Sequence, residues 1–414
     1  MKQNKIIFHI DFDSYFVSAH RAINANLRNK PVAVSKNEKN SICSSVSYEL
    51  KNLGIKAGDP VFKIKKICPN TIFVVPDYYL YLDLSNDIFE YIQQKYSNQM
   101  EIFSIDECWI DMTDKVKNIN LLKIANNLKQ DIYDEFRIPI SVGISYNKFL
   151  AKMATNLAKP FGVFLLNQQN LEESIWNLPI EKFFGIGKSN GQKLLNLSID
   201  TIGKLAQLNP NSLEAISTFG KFAQEYINKA NGISSDALEV TLDPKSKGKE
   251  MTFENGGITK EDVLMGVIDL LSKYIAIKLN DKNLVGNAIS LRIRNQNGKW
   301  LVKQKLLNHY INNSEIIFKV GKELFFNFKQ EYPIRGIGIY VNNLKKTLEI
   351  GKDVSLFDEI LKVEPRKFYK VDKIINEVNF SLKKNVLKTG KDLLKEEQEH
   401  KSFNVKFFDN DIKK

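Results

Sequence analysis

What the sequence lacks narrows its chemistry first. Across 414 residues no apolar run approaches the roughly 18 residues of a membrane-spanning helix. The apolar start, Ile6 to Ile10, is too short for a signal peptide and is stopped by Asp11, so the sequence reads as cytosolic. Cysteine is scarce: Cys43, Cys68 and Cys108 have no metal-type spacing and leave one over, which favours reduced, buried thiols. Four scattered histidines, His9, His20, His309 and His400, give no support to zinc chemistry, and His9 is read as a packed residue rather than a ligand. There is no internal repeat and no extended low-complexity tract. Charge is not balanced: 60 Lys and Arg against 48 Asp and Glu leave a net +12. That excess suits a polyanionic partner, either nucleic acid or an anionic membrane surface. A hydrophobic content of 43% is ample for folding, and the length implies about two to four domains.

Two acidic stretches stand out. In Ile6-Ile7-Phe8-His9-Ile10-Asp11-Phe12-Asp13, alternation places Ile6, Phe8, Ile10 and Phe12 on one sheet face and His9, Asp11 and Asp13 on the other. A buried strand therefore ends in carboxylates. In Ile102-Phe103-Ser104-Ile105-Asp106-Glu107-Cys108-Trp109-Ile110-Asp111, a β-branched and aromatic run is interrupted by Asp106 and Glu107, which would point to opposite faces of a regular strand. A tight turn there would let both face one site. Carboxylates on buried strands need compensation, because an unpaired buried charge is costly. Divalent cations supply it. Magnesium favours one or two carboxylates plus substrate phosphates, and a metal pair roughly 3.5 to 4 Å apart clamps an in-line displacement at phosphorus. On residue type alone, Asp11 and Asp106 equally fit caps at strand ends beside turns.

Periodicity lays out the rest of the chain. Asp13 or Ser14 is placed to cap a helix through Tyr15, Phe16, Ala19 and Ile23, ending near Asn29-Lys30-Pro31. Strands are expected at 31–35, 41–47 and 71–75, a helix at 48–53 ended by Gly54, and a turn over 56–60 that leads to a basic helix. A long helix over about 78–95 precedes the second acidic stretch. Residues 120–136 form an amphipathic helix on Leu121, Ile124, Leu128 and Ile132. A strand at 139–144 follows, then a helix with Lys148 and Lys152 one turn apart on one face. This order predicts a mixed α+β sheet domain with a helical insertion.

Beyond residue 170 a helical stretch is built around Phe184-Gly185-Ile186-Gly187-Lys188. A Gly-x-Gly turn leaves main-chain N–H groups pointing outward at a helix start, where they bind phosphate without reading sequence. An ordinary helix–turn–helix packing unit is the competing reading, and Thr218-Phe219-Gly220-Lys221 is a poorer second candidate. Residues 243–249 read as a charged linker. Residues 250–345 read as a small α+β domain: a helix near 260–280, strands at 288–294, 300–306 and 336–341, and a helix near 314–328. Between Lys245 and Lys346, 18 Lys and Arg stand against 9 Asp and Glu. Arg292 and Arg294 share a strand face, as do Lys303 and Lys305, so a basic sheet surface suited to a nucleic-acid backbone is expected, against a merely solvated charged face. The tail from 346 carries Asp353-Val354-Ser355-Leu356-Phe357 and then an amphipathic helix through Val371, Ile374, Ile375 and Val378.

In combination these motifs resemble the Y-family, or lesion-bypass, DNA polymerases over residues 5 to about 357. The resemblance is carried by Asp11-Phe12-Asp13, Ser104-Ile105-Asp106-Glu107, Gly143-Ile144-Ser145-Tyr146-Asn147-Lys148 with Leu150-Ala151-Lys152, Lys159-Pro160, and Gly185-Ile186-Gly187, in order and at the family's spacing. It implies an α+β right-hand architecture: palm (1–13 and 78–166), small fingers (14–77), helical thumb with a helix-hairpin-helix (167–240), linker (241–249), little finger (250–345) and tail (346–414). It implies a monomer that carries out translesion synthesis on primer–template DNA, adding dNTPs by two-metal nucleotidyl transfer. Asp11 and Asp106 match the metal-binding carboxylates, with the main-chain oxygen of Phe12 also used. Glu107 matches the catalytic carboxylate and is counted with the metal group. Two Mg2+ ions are implied, with Mn2+ as a substitute. Asp13 and Asp111 are read as structural.

Further positions carry over in the same way. Phe16 matches the steric gate, a ring beneath the sugar that leaves no space for a 2′-hydroxyl, and Tyr15 beside it is counted with the substrate-binding residues. Ser44 and Ser45 match small residues over the nascent base pair, where they would form a loose roof. Tyr48, Lys51 and Lys159 match triphosphate contacts, as a tyrosine hydroxyl and two cations suit a polyphosphate. Gly185, Gly187, Lys188, Arg292 and Arg294 are the candidate DNA contacts. DNA polymerase IV-like members usually carry Arg at the position of Lys51, and Gly58-Asp59-Pro60-Val61-Phe62 looks more like the polymerase V catalytic-subunit branch, as does the tail. Ser355-Leu356-Phe357 resembles the end of a sliding-clamp-binding peptide whose leading Gln is replaced by Asp353; alternatively Leu356 and Phe357 start the tail's own core. Two other classes compete: a catalytically silent DNA-binding scaffold of the same fold, and another metal enzyme on a palm-like sheet, such as a nucleotide cyclase. The complete acidic positions weigh against the first. The hairpin and the basic last domain weigh against the second.

Overall fold

The computed structural model describes residues 5–347, apart from 39–40, 117–119, 235–236, 239–243, 254–255 and 329–331. The clamp-like peptide Ser355-Leu356-Phe357 and the helix expected through Val371 lie outside the described residues. The chain forms two units, Met1–Leu242 and Asp243–Lys414.

In the first unit the strands are β1 (Ile7–Phe12), β2 (Val32–Val34), β3 (Ser45–Val46), β4 (Ile72–Val74), β5 (Met100–Ile102), β6 (Glu107–Asp111), β7 (Ile140–Ser145) and β8 (Val163–Leu165). Its helices are α1 (Tyr15–Ile23), α2 (Tyr48–Lys51), α3 (Val61–Ile67), α4 (Tyr78–Lys95), α5 (Leu121–Phe136), α6 (Lys148–Ala158), α7 (Lys188–Asn196), α8 (Ile202–Ala206), α9 (Leu213–Phe219) and α10 (Ala223–Ala230). The main sheet runs β5-β6-β1-β7-β8, so β1 is central. Phe8, Ile10 and Phe12 enter one core with Ile110, Val142, Ile88 and Leu128, each side chain contributing about 1.5–3 kcal/mol by burial. The opposite face of β1 is covered by α6: Ile7 and Trp109 pack on Ala151. Gly143 in β7 allows that approach, because a Cβ there would fall 2.2 Å from the Ala151 carbonyl oxygen and from the Thr155 amide.

The short elements differ from expectation. α1 stops at Ile23 rather than near Pro31, and Asn24 caps a single 3-10 turn, Ala25–Leu27, by accepting from the Asn26 amide. Ser14 precedes α1 in the left-handed region and gives no side-chain cap. The strand expected over 41–47 reduces to β3, because Ser41 and Cys43 bond instead to the turn at 58–61 through Val61 N–H, Gly58 N–H and the Asp59 carbonyl. β3, β2 and β4 make a small three-stranded sheet with its own core of Val46, Leu50, Ile55, Val61 and Ile64. Helices α7 to α10 gather on a separate core that includes Leu194, Ile202, Leu205, Phe219 and Ile227. The segment before Gly185 is only a 3-10 turn, Ile180–Lys182, not a full first helix of the hairpin.

The second unit holds β9 (Ser246–Thr252), α11 (Glu261–Asn280), β10 (Leu284–Arg294), β11 (Trp300–Ile311), α12 (Ser314–Phe326), β12 (Gly336–Asn342) and β13 (Lys345–Lys346). The sheet order is β11-β10-β12-β9, with β13 on the start of β10. Ile289, Leu291 and Ile293 face α11 and α12. Two expectations are corrected here. The charged run read as a linker becomes β9 from Ser246 onward, paired along its length with β12. Its polar composition is that of an exposed edge strand, which protects a sheet by carrying charge. Lys303 and Lys305 do not extend the surface of Arg292 and Arg294. They stand opposite Leu291 and Ile289, hence on the helix-packed face, while Arg292 and Arg294 stand opposite Val302 and Trp300 on the open one. Lys305 is spent on Glu323 of α12 at 2.6 Å.

Candidate active site

The carboxylates meet because of strand register. Asp11, near the end of β1, is paired directly with Glu107, the first residue of β6, and residues paired across antiparallel strands share a face. Asp106 lies in the turn between β5 and β6, closed by bonds from the Phe103 and Ser104 amides to the Glu107 carbonyl. The Asp106 carbonyl accepts from the Phe12 amide at 2.9 Å, which ties the turn to β1. A turn thus breaks the alternation that would have sent Asp106 and Glu107 apart. Asp11 is buried, and Asp106 and Glu107 are partly so.

Lysines from α6 and the segment after it supply counter-charge. Lys152, itself buried, reaches Asp11 at 3.2 Å and Glu107 at 2.8 Å. Lys159 reaches the other oxygen of Asp11 at 2.5 Å. Although burial opposes it, the neighbouring His9 ring and the Lys152 ammonium hold the Glu107 carboxyl below the usual carboxylate range. Burial lowers His9 to about 4, so its ring is neutral at pH 7. His9 Nδ1 lies 2.8 Å from the Thr155 hydroxyl of α6. Asp106 differs: burial pushes its carboxyl up, the Asp11 and Glu107 charges add to this, and the Ser104 hydroxyl donates to it at 2.6 Å.

The donors fit a hard divalent cation. Asp11 and Asp106 offer only oxygen donors, and Asp106 forms no ion pair among the described residues, so it is an acidic group wanting a positive neighbour. Among the described residues no group of three or more His, Cys, Asp or Glu side chains is placed to hold a metal ion by itself. An open set of this kind is completed by substrate oxygens, the arrangement magnesium favours. Lys152 offsets the charge of Glu107 at 2.8 Å, yet Glu107 Oε2 is buried without a hydrogen-bond partner among the described residues.

Around these acids lie the nucleotide-binding candidates. Phe16 stacks on the buried Tyr81 ring with centroids 4.2 Å apart and planes within 8°. Tyr48 donates its hydroxyl to Asp13 at 2.9 Å, and Lys51 Nζ lies 4.2 Å from the Tyr48 ring centre. Ser45 is half-buried in β3 beside exposed Ser44. The Tyr15 side chain is buried in the core and its hydroxyl donates to the Tyr81 carbonyl, which leaves the main chain as the part able to meet a substrate.

The DNA-contact candidates are dispersed. Gly187 caps the exposed start of α7, Lys188 is its first residue, and Gly185 has φ +98°, which favours glycine. A Cβ on Gly187 would meet nothing within 4 Å, so local packing does not require glycine there. In the second unit Arg292 bonds Glu250 at 2.9 Å and lies over the Tyr340 ring at 4.4 Å, while Arg294 donates to the Gly298 carbonyl at 3.1 Å. Sequence reasoning assigned no role to Lys152, Ser104, Ser141 or Tyr81. The four-residue spacing of Lys148 and Lys152 was the available signal for the first; the structure sends Lys148 to Glu101 at 2.8 Å and Lys152 to the acids.

Comparison with known proteins agrees with this arrangement. Residues 10–156 match the impB/mucB/samB family, and residues 244–352 match the C-terminal domain of that family. The chain is 33% identical over 379 residues to DNA polymerase IV of Oceanobacillus iheyensis, covering 90% of each chain. It is 32% identical over 419 residues to DNA polymerase IV 1 of Bacillus subtilis, covering 99% of each. Both relatives carry the polymerase IV name, whereas the run at 58–62 pointed to the polymerase V branch. Among solved structures, a Y-family DNA polymerase chimera superposes with a TM-score of 0.72 at 26% identity, over 82% of this chain and 99% of that one. With both family domains matched in order and relatives covering nearly its full length, the chain belongs to the impB/mucB/samB family, the Y-family of lesion-bypass DNA polymerases.

Proposed function

We infer that this chain is a template-directed DNA polymerase that copies past damaged bases, extending a primer 3′-hydroxyl with dNTPs. The observation that carries this reading is the pairing of Asp11 with Glu107, with Asp106 tied beside them through Phe12. In this reading Asp11, Asp106, Glu107 and the Phe12 carbonyl would hold two Mg2+ ions, with Mn2+ as a substitute. When bound, the ions lower the pKa of the primer hydroxyl and neutralise the triphosphate and leaving pyrophosphate. Lys159, Lys51 and Tyr48 bind the triphosphate, Phe16 excludes a 2′-hydroxyl, and Ser45 roofs the base pair loosely.

The same reading assigns residues 1–13 and 78–166 to the palm, 14–77 to the fingers, 167–240 to the thumb and 250–345 to the little finger, which β9 joins as an edge strand. The amides at Gly185, Gly187 and Lys188 grip the DNA backbone, as do Arg292 and Arg294. Attachment to a sliding clamp through Ser355, Leu356 and Phe357 rests on the sequence resemblance alone. Primer extension with Mg2+ and four dNTPs tests the reading. Asp106→Ala is expected to abolish extension while DNA affinity stays within about twofold, a split that marks loss of a group acting only in the transition state. Full extension by that variant would exclude the assignment.

A further inference from the structure

Asp13 looks structural by sequence, yet one candidate triphosphate contact, Tyr48, and the segment just after another, Lys159, both bond to it. It is 1% exposed, and its three partners all donate to its carboxylate. The Tyr48 hydroxyl reaches Oδ1 at 2.9 Å, the Ser141 hydroxyl Oδ2 at 2.8 Å, and the Phe161 amide Oδ2 at 2.7 Å. Tyr48 opens α2, Ser141 lies in β7, and Phe161 stands two residues after Lys159. Phe161 has φ +49°, a conformation an aromatic residue avoids without external restraint. The Asp13 bond is one restraint; Lys129, donating to the Phe161 carbonyl at 3.0 Å, is another. Asp13 directly follows Asp11 and Phe12, so one strand end presents the acid and fixes both Tyr48 and the segment bearing Lys159.

We propose that Asp13 is a positioning residue that sets the spacing between the triphosphate contacts Tyr48 and Lys159 and the carboxylate of Asp11. It touches no substrate itself. The role rests on the polymerase reading given above. It rests on acceptor capacity: three donors point at two carboxyl oxygens, and an amide of the same shape turns one of those oxygens into a donor.

Asp13→Asn is therefore expected to raise the KM for dNTP about tenfold, with the Kd for primer–template DNA unchanged within about twofold. The melting temperature, followed in the same preparations, should fall by no more than about 5 °C. In a Tyr48→Phe/Lys159→Ala background, Asp13→Asn should add less than about twofold, because it would act through groups already removed. An undiminished penalty in that background, or a KM that does not move, overturns the proposal. Should Asp13→Asn fail to fold, Ser141→Ala removes one partner of the carboxylate and is expected to raise the dNTP KM about threefold. No rise there would also overturn it. Wild-type protein in the same assay separates the two readings: absence of any extension sinks the polymerase assignment, whereas normal extension with an unmoved KM sinks only the role of Asp13.

Discussion

Phe16 is half-buried against a ring that cannot move, since Tyr81 is fully enclosed and its own hydroxyl lies 2.8 Å from His20. A gate needs such a backing: a lone exposed ring would swing away from a 2′-hydroxyl. Phe16→Ala should raise ribonucleotide incorporation relative to deoxynucleotide by at least about a hundredfold, because a steric exclusion worth a few kcal/mol is lost. Single-nucleotide insertion with matched rNTP and dNTP measures it, and unchanged sugar selection would remove the gate role. His20 provides a pH test. Burial lowers its pKa below 6.5, with Asp77 and the Val75 carbonyl working against the shift. Above pH 6.5 the ring is neutral whether folded or unfolded and contributes nothing. As pH falls below 6.5 the unfolded chain takes up the proton first, so stability is lost. His20→Gln should flatten that acid limb of the melting-temperature profile; an identical limb in the variant would show that other groups govern it. At this scale the acids were legible, because Asp11 and Asp106 interrupt apolar runs. Tyr15 was not, because a hydroxyl that bonds a distant carbonyl leaves no mark in the local pattern.

Helix α6 is the element on which the active-site geometry turns. It carries Lys152 to Asp11 and Glu107 and holds Thr155 against His9, and it lies close enough to β7 that Gly143 has no room for a methyl group. Gly143→Ala is expected to destabilise the protein by about 2–3 kcal/mol, since the obstructing atoms are main chain and cannot rotate aside. Thermal unfolding checks this, and a melting temperature equal to wild type would contradict the close approach. Long elements were readable. α4 spans Tyr78–Lys95, the range its periodicity predicts, with Asp77 accepting from the Leu80 amide as its cap. Short ones were not, because their bounds depend on hydrogen bonds to remote segments, as at 41–44 and the turn at 58–61. The two lysine positions on β11 illustrate the other limit. Alternation gives a side chain's face relative to its own strand, but only the register with β10 decides which face meets α12.

For the whole molecule, the two units divide between Leu242 and Asp243, at the start of the charged stretch read as a linker. Composition marked the place and misjudged the structure, since an edge strand and a linker share the same polar signature. Among the described residues no helix is long and apolar enough to cross a membrane. The seating of Lys152 and Lys159 on Asp11 has one more outcome. Proteins whose fold is built on a bound ion unravel when it is stripped. This one keeps its own ammonium groups against its acids, so a chelator such as EDTA should halt synthesis while leaving the melting temperature within about 2 °C. A much larger drop, read by scanning calorimetry, would mean that the ion props up the fold. If the prediction holds, the enzyme can be purified, stored and handled ion-free, then started by adding the salt.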